Sequence, residues 1–212
     1  PVKCLDYLFP ISKRKEKKIL EVCAAPGGKT AQLADYGFQP ISLDISEYRI
    51  SQLKTNLDRL NYKPKIICID FLNYNSDQKF DAILLDAPCS ASGLIQKKPE
   101  ILITNKHSDL KKLMVEQNRL LEYSKEFVKK GGYIIYCVCS INNCEGYEQI
   151  NKFLKTNKNF SSVDHVDGIK KYGKIISDNM LQIYPKQFKF TDNINGYLDG
   201  FFISILKKEK NN

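Results

Sequence analysis

Five short apolar runs, Lys18 to Val22, Pro40 to Leu43, Lys65 to Ile69, Asp81 to Leu85 and Tyr133 to Val138, alternate with segments carrying apolar residues at helical spacing. Near-continuous rather than alternating apolarity marks strands covered on both faces, which predicts a parallel sheet flanked by helices. Behind Ser46, a predicted N-cap, Ile50, Leu53, Leu57 and Leu60 form one helical stripe. Leu110, Leu113, Gln117, Leu120 and Phe127 form a second, which Gly131-Gly132 is expected to end. The last apolar run, Phe201 to Leu206, is expected to pair with Met180 to Tyr184 as a closing antiparallel hairpin on the sheet edge. Lys155 to Asn179 is polar and poorly periodic, so it reads as a surface excursion or a variable edge. The fold class is α/β, with residues 1–17 a lead-in to a single domain over 18–212.

A chain of 212 residues with 42% hydrophobic content can bury one sizeable core. Its formal charge of +9, with 12 tyrosines and 11 phenylalanines among the lysines, suits RNA or an acidic membrane surface. No stretch approaches the roughly 18 apolar residues of a spanning helix, and no secretory signal pattern opens the chain. A cytoplasmic monomer with no membrane partner is the expectation. The chain begins at Pro1 without an initiator methionine, so an upstream segment is expected to have been removed or omitted.

Seven cysteines, an odd number without paired CxxC spacing, read as reduced thiols. Cys4, Cys68 and Cys137 sit in apolar surroundings and are expected to be small buried hydrophobes. A metal held by Cys137, Cys139 and Cys144 with His107 or His165 is disfavoured, and none is expected.

The chemistry concentrates after two of the strands. Asp86-Ala87-Pro88-Cys89-Ser90 follows Ile83-Leu84-Leu85, and Cys139-Ser140 follows the run that begins at Tyr133. Ligands of open α/β sheets bind beyond the carboxyl ends of the strands, so Cys89 and Cys139 should face one pocket and do covalent chemistry there. Cys23-Ala24-Ala25-Pro26-Gly27-Gly28-Lys29-Thr30 follows the first strand and opens a helix. Its tail imitates a phosphate-binding loop, but Cys23 stands where such a loop needs glycine and Pro26 interrupts the cradle. A nucleoside cofactor without phosphate ligation fits better. Asp44 and Asp70, ending the second and third strands, could accept from ribose hydroxyls and an adenine amino group, and S-adenosylmethionine meets those terms. Capping of the following helices is the plainer alternative for both acids.

Four segments carry a resemblance: Glu21 to Thr30; Asp86 to Gly93 with Pro99-Glu100; Tyr136 with Cys139-Ser140 and Glu145; and Asp199-Gly200-Phe201-Phe202. Together they resemble the Sun-type RNA (cytosine-5) methyltransferase family, within it the B type that acts on bacterial small-subunit (16S) ribosomal RNA. The resemblance runs from Lys18 to Lys207. It implies a class I (Rossmann-like) methyltransferase catalytic domain. S-adenosylmethionine would be held by Cys23, Ala24, Ala25, Pro26, Gly27, Gly28, Lys29, Asp44, Asp70 and Asp86. It also implies that Cys139 is the nucleophile, that Cys89 assists product release and that Asp86 activates the base. Spacing alone leaves the two thiols interchangeable.

Carbon 5 of cytosine is a poor nucleophile until a thiolate adds to carbon 6, which is why such an enzyme wants thiols and an acid together. The target must be unpaired or flipped out, and Lys97, Lys98 and Lys106 are then expected to contact the RNA backbone. No DNA partner is expected. Val138, Cys144, Gly146 and Gln96 depart from the family pattern. Gly146 is expected to weaken the support under Cys139, and Gln96 to loosen the grip on RNA. Cytosine-5 methylation of small-subunit rRNA is the leading expectation. Transfer RNA methylation and a non-catalytic RNA-binding module are the alternatives.

Overall fold

The computed structural model describes residues 1–104, 107–164, 170, 172–177, 179–191 and 194–210. Helix α1 (Val2–Leu8) leads into β1 (Lys18–Val22), α2 (Gly28–Asp35), β2 (Gln39–Asp44), α3 (Glu47–Arg59), β3 (Lys65–Cys68) and β4 (Phe80–Asp86). Then come α4 (Ile101–Thr104), α5 (His107–Ser124), β5 (Val128–Val138), α6 (Tyr147–Thr156), β6 (Phe160–Val163), β7 (Lys174–Ser177) and β8 (Met180–Ile183). The hairpin of β9 (Lys186–Thr191) and β10 (Ile194–Leu198) precedes the last strand, β11 (Phe201–Lys208).

The main sheet has the order β3-β2-β1-β4-β5-β11-β8-β7. The first five strands are parallel, and β11 runs antiparallel to β5. The order reverses between β1 and β4, which creates the crevice where open α/β sheets take their ligands. Register sets the level of that crevice: Val22 pairs with Leu85, and Leu85 with Tyr136, so three loops leave the sheet side by side.

The apolar runs are continuous because both faces are covered. Leu20, Val22, Ile83, Leu85, Ile134 and Tyr136 pack on one side, while Ile19, Ala82, Leu84, Ile135 and Cys137 pack on the other. Burying one leucine of this kind stabilises the fold by roughly 1.5–3 kcal/mol. Val2, Cys4, Leu5 and Phe9 from the lead-in join Leu33 and Phe38 in the second layer. Ser46 caps α3 by accepting from the Arg49 N–H at 3.3 Å. Ile50, Leu53 and Leu57 are buried, but Leu60 ends the helix and is 41% exposed.

The sequence pattern and the structure diverge at the end of α5, and the structure adds detail at two further places. Helix α5 stops at Ser124 rather than at Gly131-Gly132. Phe127 has already left it to pack against Phe71, Tyr74 and Tyr123, with ring centroids 5.1–5.7 Å apart. The two glycines lie inside β5, where the register with β4 shifts between Phe80 and Ala82 and Gly131 takes φ +75°. They make a bulge instead of a cap, because the apolar gain of the aromatic cluster outweighs continuing the helix. Strand β11 does pair with β8, but it is an interior strand with β5 on its other side, and the β9–β10 hairpin is inserted between the two partners. The polar segment from Lys155 contributes β6, which pairs with the end of β11, and β7, which edges the sheet beside β8.

The turn between β10 and β11 docks onto the loop after β4 by direct backbone approach. Gly200 N–H donates to Gly93 O at 2.8 Å, and a Cβ on Gly93 would stand 2.0 Å from Gly200 O. Gly93→Ala is therefore expected to destabilise the protein by about 2–3 kcal/mol or more, since backbone meets backbone and no side chain can yield. Urea unfolding of the variant against the parent checks this, and an unchanged midpoint contradicts it.

Candidate active site

A cavity of about 270 Å³ opens at the crevice between β1 and β4. Cys23, Asp44, Asp70, Asp86, Cys89 and Cys139 all line it, so the structure brings together six of the residues singled out in the sequence. Its apolar wall is formed by Leu43, Ile45, Ile69, Phe71 and Leu120, and Arg49 and Glu116 also border it. The remaining loop residues, Ala24 to Lys29, are not in the wall. Ala24 and Ala25 are buried against Leu53 and Leu57. Gly27 turns the chain at φ +98°, where a Cβ would come within 3.0 Å of Leu53 Cγ. Gly28 opens α2 and has open space around it.

Asp44 is buried and accepts Ala25 N–H at 3.0 Å through Oδ2 and Ser46 N–H at 3.1 Å through Oδ1. A carboxylate offers about four acceptor sites, so two remain after these backbone bonds. Arg49 lies 3.7 Å from Oδ2 and donates to Ala25 O, closing the loop over the acid. Asp70 caps the turn at Phe71 by accepting Leu72 N–H at 3.0 Å. Capping and cavity lining coexist in Asp70, whereas Ser46 caps α3 and Asp44 ties the Cys23 loop to the sheet. Periodicity gave no hint of Arg49 or Glu116. Arg49 falls one residue before Ile50 on α3, which turns its side chain from the core stripe toward the loop.

The two thiols meet at the cavity. Cys89 Sγ and Cys139 Sγ are 3.3 Å apart, closer than unbonded sulfurs in van der Waals contact, and share a hydrogen bond. That bond holds the Cys139 thiol below the usual thiol range and pushes Cys89 above it, with burial raising Cys89 further. Cys139 is thus the sulfur better placed to carry negative charge. Burial pushes Cys23 up to about 12, with Asp44 and Asp86 adding to the rise, so it lines the cavity as a neutral thiol. Cys4 and Cys137 are buried as expected, and burial raises both. Cys68 is exposed instead, because its strand lies at the sheet edge and Ile66 and Ile67 carry the packing there.

Asp86 stands beside the thiols and takes Lys29 Nζ at 2.6 Å on Oδ2, while Cys137 Sγ lies 3.5 Å from Oδ1. Burial works against the Lys29 charge, and Cys137 and Asp86 more than offset it, raising the ammonium. The lysine of the phosphate-loop imitation is therefore committed to a carboxylate. Lys97 pairs with Asp199 at 2.6 Å, Lys98 is exposed, and Lys106 and His165 lie outside the described residues. Among the described residues no cluster of His, Cys, Asp and Glu could hold a metal ion, and no helix is long and apolar enough to cross a membrane.

Glu145 is fully buried behind the cysteines and accepts hydrogen bonds from Ser90 and Ser140. Gly146 faces the buried Phe202 ring, which a Cβ would approach within 2.7 Å, so the ring fills the space a side chain would take. Val138 is core, and nothing in the structure explains Gln96.

Glu21, near the end of β1, is a third buried carboxylate after Asp44 and Glu145. Thr30 Oγ1 at 2.6 Å and Ser42 Oγ at 2.8 Å donate to Oε2, while Oε1 has no partner among the described residues. Burial raises its pKa to about 7, against about 4.5 when unfolded. Between those values the folded chain holds a proton that the unfolded chain has lost, so stability falls as pH rises through this window. The total loss is about 3 kcal/mol. Glu21→Gln should remove that slope in urea unfolding measured across the window, and an identical slope in parent and variant would refute the assignment.

Comparison with known proteins converges on one group. The family model described as 16S rRNA methyltransferase RsmB/F matches residues 9–207. Ribosomal RNA small subunit methyltransferase B of Photorhabdus laumondii is 38% identical over 211 residues, covering 97% of this chain and 44% of that protein. The protein of the same name from Vibrio vulnificus is 39% identical over 154 residues, covering 70% and 35%. The chain thus spans less than half the length of these curated relatives. Among solved structures, NSun6 from Pyrococcus horikoshii with SFG has a TM-score of 0.75 at 25% identity, covering 95% of this chain and 51% of that one. A methyltransferase homolog protein from the same organism has 0.69 at 27%, covering 91% and 61%.

Proposed function

The chain belongs to the 16S rRNA methyltransferase RsmB/F family, and from that premise we propose that it methylates carbon 5 of a cytosine in small-subunit ribosomal RNA through a covalent Cys139 adduct. The single observation that carries the mechanism is the pair of sulfurs 3.3 Å apart at one cavity, one of them favoured as thiolate.

S-adenosylmethionine is the methyl donor that the cavity suits. Asp44, Asp70, Asp86 and Glu116 border it against one arginine, Arg49, so its acids favour a cationic ligand and oppose a phosphate. The spare acceptor sites of Asp44 match a ribose diol, and the apolar wall matches a purine. When bound, the cofactor supplies an electrophilic methyl group on a sulfonium.

The chain's own groups do the rest. The Cys139 thiolate forms a bond to carbon 6, and the ring electrons shift toward N3 and carbon 5. Asp86, held by Lys29, accepts a hydrogen bond from the cytosine amino edge or from protonated N3 and so favours the electron-rich ring. Carbon 5 then takes the methyl group. Removal of the carbon 5 proton restores the double bond and releases Cys139 as thiolate. Cys89 becomes easier to deprotonate once Cys139 is a neutral thioether, since the neighbouring negative charge has gone. Once its own proton has passed to solvent, the Cys89 thiolate takes the carbon 5 proton, directly or through water.

The test is transfer of labelled methyl from S-adenosylmethionine to unmodified 16S rRNA, with the product nucleoside identified. We expect 5-methylcytidine, reduced at least ~10³-fold by Cys139→Ser. Transfer to transfer RNA alone would redirect the substrate assignment. Cofactor binding without transfer to either RNA would overturn the proposal in favour of a binding module.

A further inference from the structure

Cys89 and Cys139 are the same residue type at the same cavity, yet addition requires Cys139 to be an anion while Cys89 still holds its proton, and Cys89 is needed as a base only afterwards. We propose that Glu145 is the positioning residue that gives the two thiols different roles, fastening both loops in one register with its negative charge on the Cys89 side. The inference rests on the thiol-dependent reading above, but the asymmetry can be measured without methyl transfer.

The carboxylate is a hub with five donors. Oε1 accepts Ser90 N–H at 2.7 Å and Gln117 Nε2–H at 3.1 Å, and Oε2 accepts Ser90 Oγ–H at 2.5 Å, Ser140 Oγ–H at 2.6 Å and Asn142 Nδ2–H at 3.1 Å. Gln117 also donates to Pro88 O at 2.8 Å. The backbone on both sides of Cys89 is therefore tied to Glu145 or to its partner, whereas Cys139 is tied through Ser140 alone. Tyr136 O–H donates to Glu145 O at 2.6 Å, which anchors the hub to β5.

Charge follows the same bias. Glu145 opposes an anion at Cys89, after the larger effects of the Cys139 bond and burial. At Cys139 the Cys89 donor and the Lys29 ammonium favour the anion, against burial and Asp86. Cys137 and Tyr136 on β5 and Glu116 on α5 complete the titratable surroundings. Glu145 thus weighs against an anion at Cys89, while at Cys139 the Lys29 ammonium offsets part of the larger opposition of Asp86.

Glu145→Gln keeps the size and removes the charge. Iodoacetamide alkylation, resolved by cysteine with mass spectrometry from neutral to alkaline pH, reads the outcome. In the parent, Cys139 should react at least about tenfold faster than Cys89 near neutrality, and in the variant the two profiles should converge to within about threefold. Methyl transfer should fall in kcat with KM for S-adenosylmethionine unchanged. A folded Glu145→Gln protein with the parent's separation of profiles overturns the proposal. Should that variant fail to fold, Ser90→Ala decides, because it removes one hydroxyl from the hub. A narrowed separation supports the assignment and an unchanged one refutes it. A parent that transfers no methyl group but shows the asymmetry would sink the proposed function and leave this inference standing.

Discussion

The parallel register of β1, β4 and β5 is the constraint on which the site depends. Val22, Leu85 and Tyr136 lie at one level of the sheet, so the loops bearing Cys23, Cys89 just after Asp86, and Cys139 emerge together. A slip of one residue would turn Ile83 and Leu85 from one apolar layer into the other, at a cost of several buried side chains. Core packing therefore fixes the chemistry. The antiparallel strand β11 finishes the arrangement by pairing with β5 and delivering Gly200 onto the loop of Cys89.

Above this apolar platform the protein carries polar groups that would be costly to bury alone. Glu145 is matched by five donors, so its desolvation is offset by hydrogen bonds, and breaking the hub would leave a buried charge uncompensated. Glu21 is less completely satisfied, with one oxygen unpartnered, and burial moves it toward neutrality instead. The two carboxylates illustrate two responses to the same low dielectric. One collects donors, and the other holds a proton.

Much of this was legible in the chain, because buried parallel strands leave continuous apolar runs and the chemistry falls just after them. Lys18 to Val22 is a strand to the residue, and Cys89, Cys139, Asp44, Asp70 and Asp86 converge as their strand-end positions require. The glycines at 131 and 132 misled because a bulge and a helix cap draw on the same backbone freedom, and only the Phe127 cluster decides between them. Arg49, Glu116 and the role of Gln117 were not legible. Their partners lie at Ala25, across the cavity and at Pro88, and no local period encodes contacts over such separations. The asymmetry of the thiols was likewise hidden, since it arises first from a hydrogen bond between residues 50 positions apart and from their burial.

In the proposed reaction Cys139 bonds to the base and Cys89 is needed to release it. Its most direct test is to incubate the Cys89→Ala protein with S-adenosylmethionine and unmodified 16S rRNA and to look for protein-linked RNA on a denaturing gel. An adduct should accumulate in Cys89→Ala and disappear when Cys139→Ser is added. An adduct that forms with Cys139→Ser alone, or a Cys89→Ala protein that turns over normally without one, would contradict it.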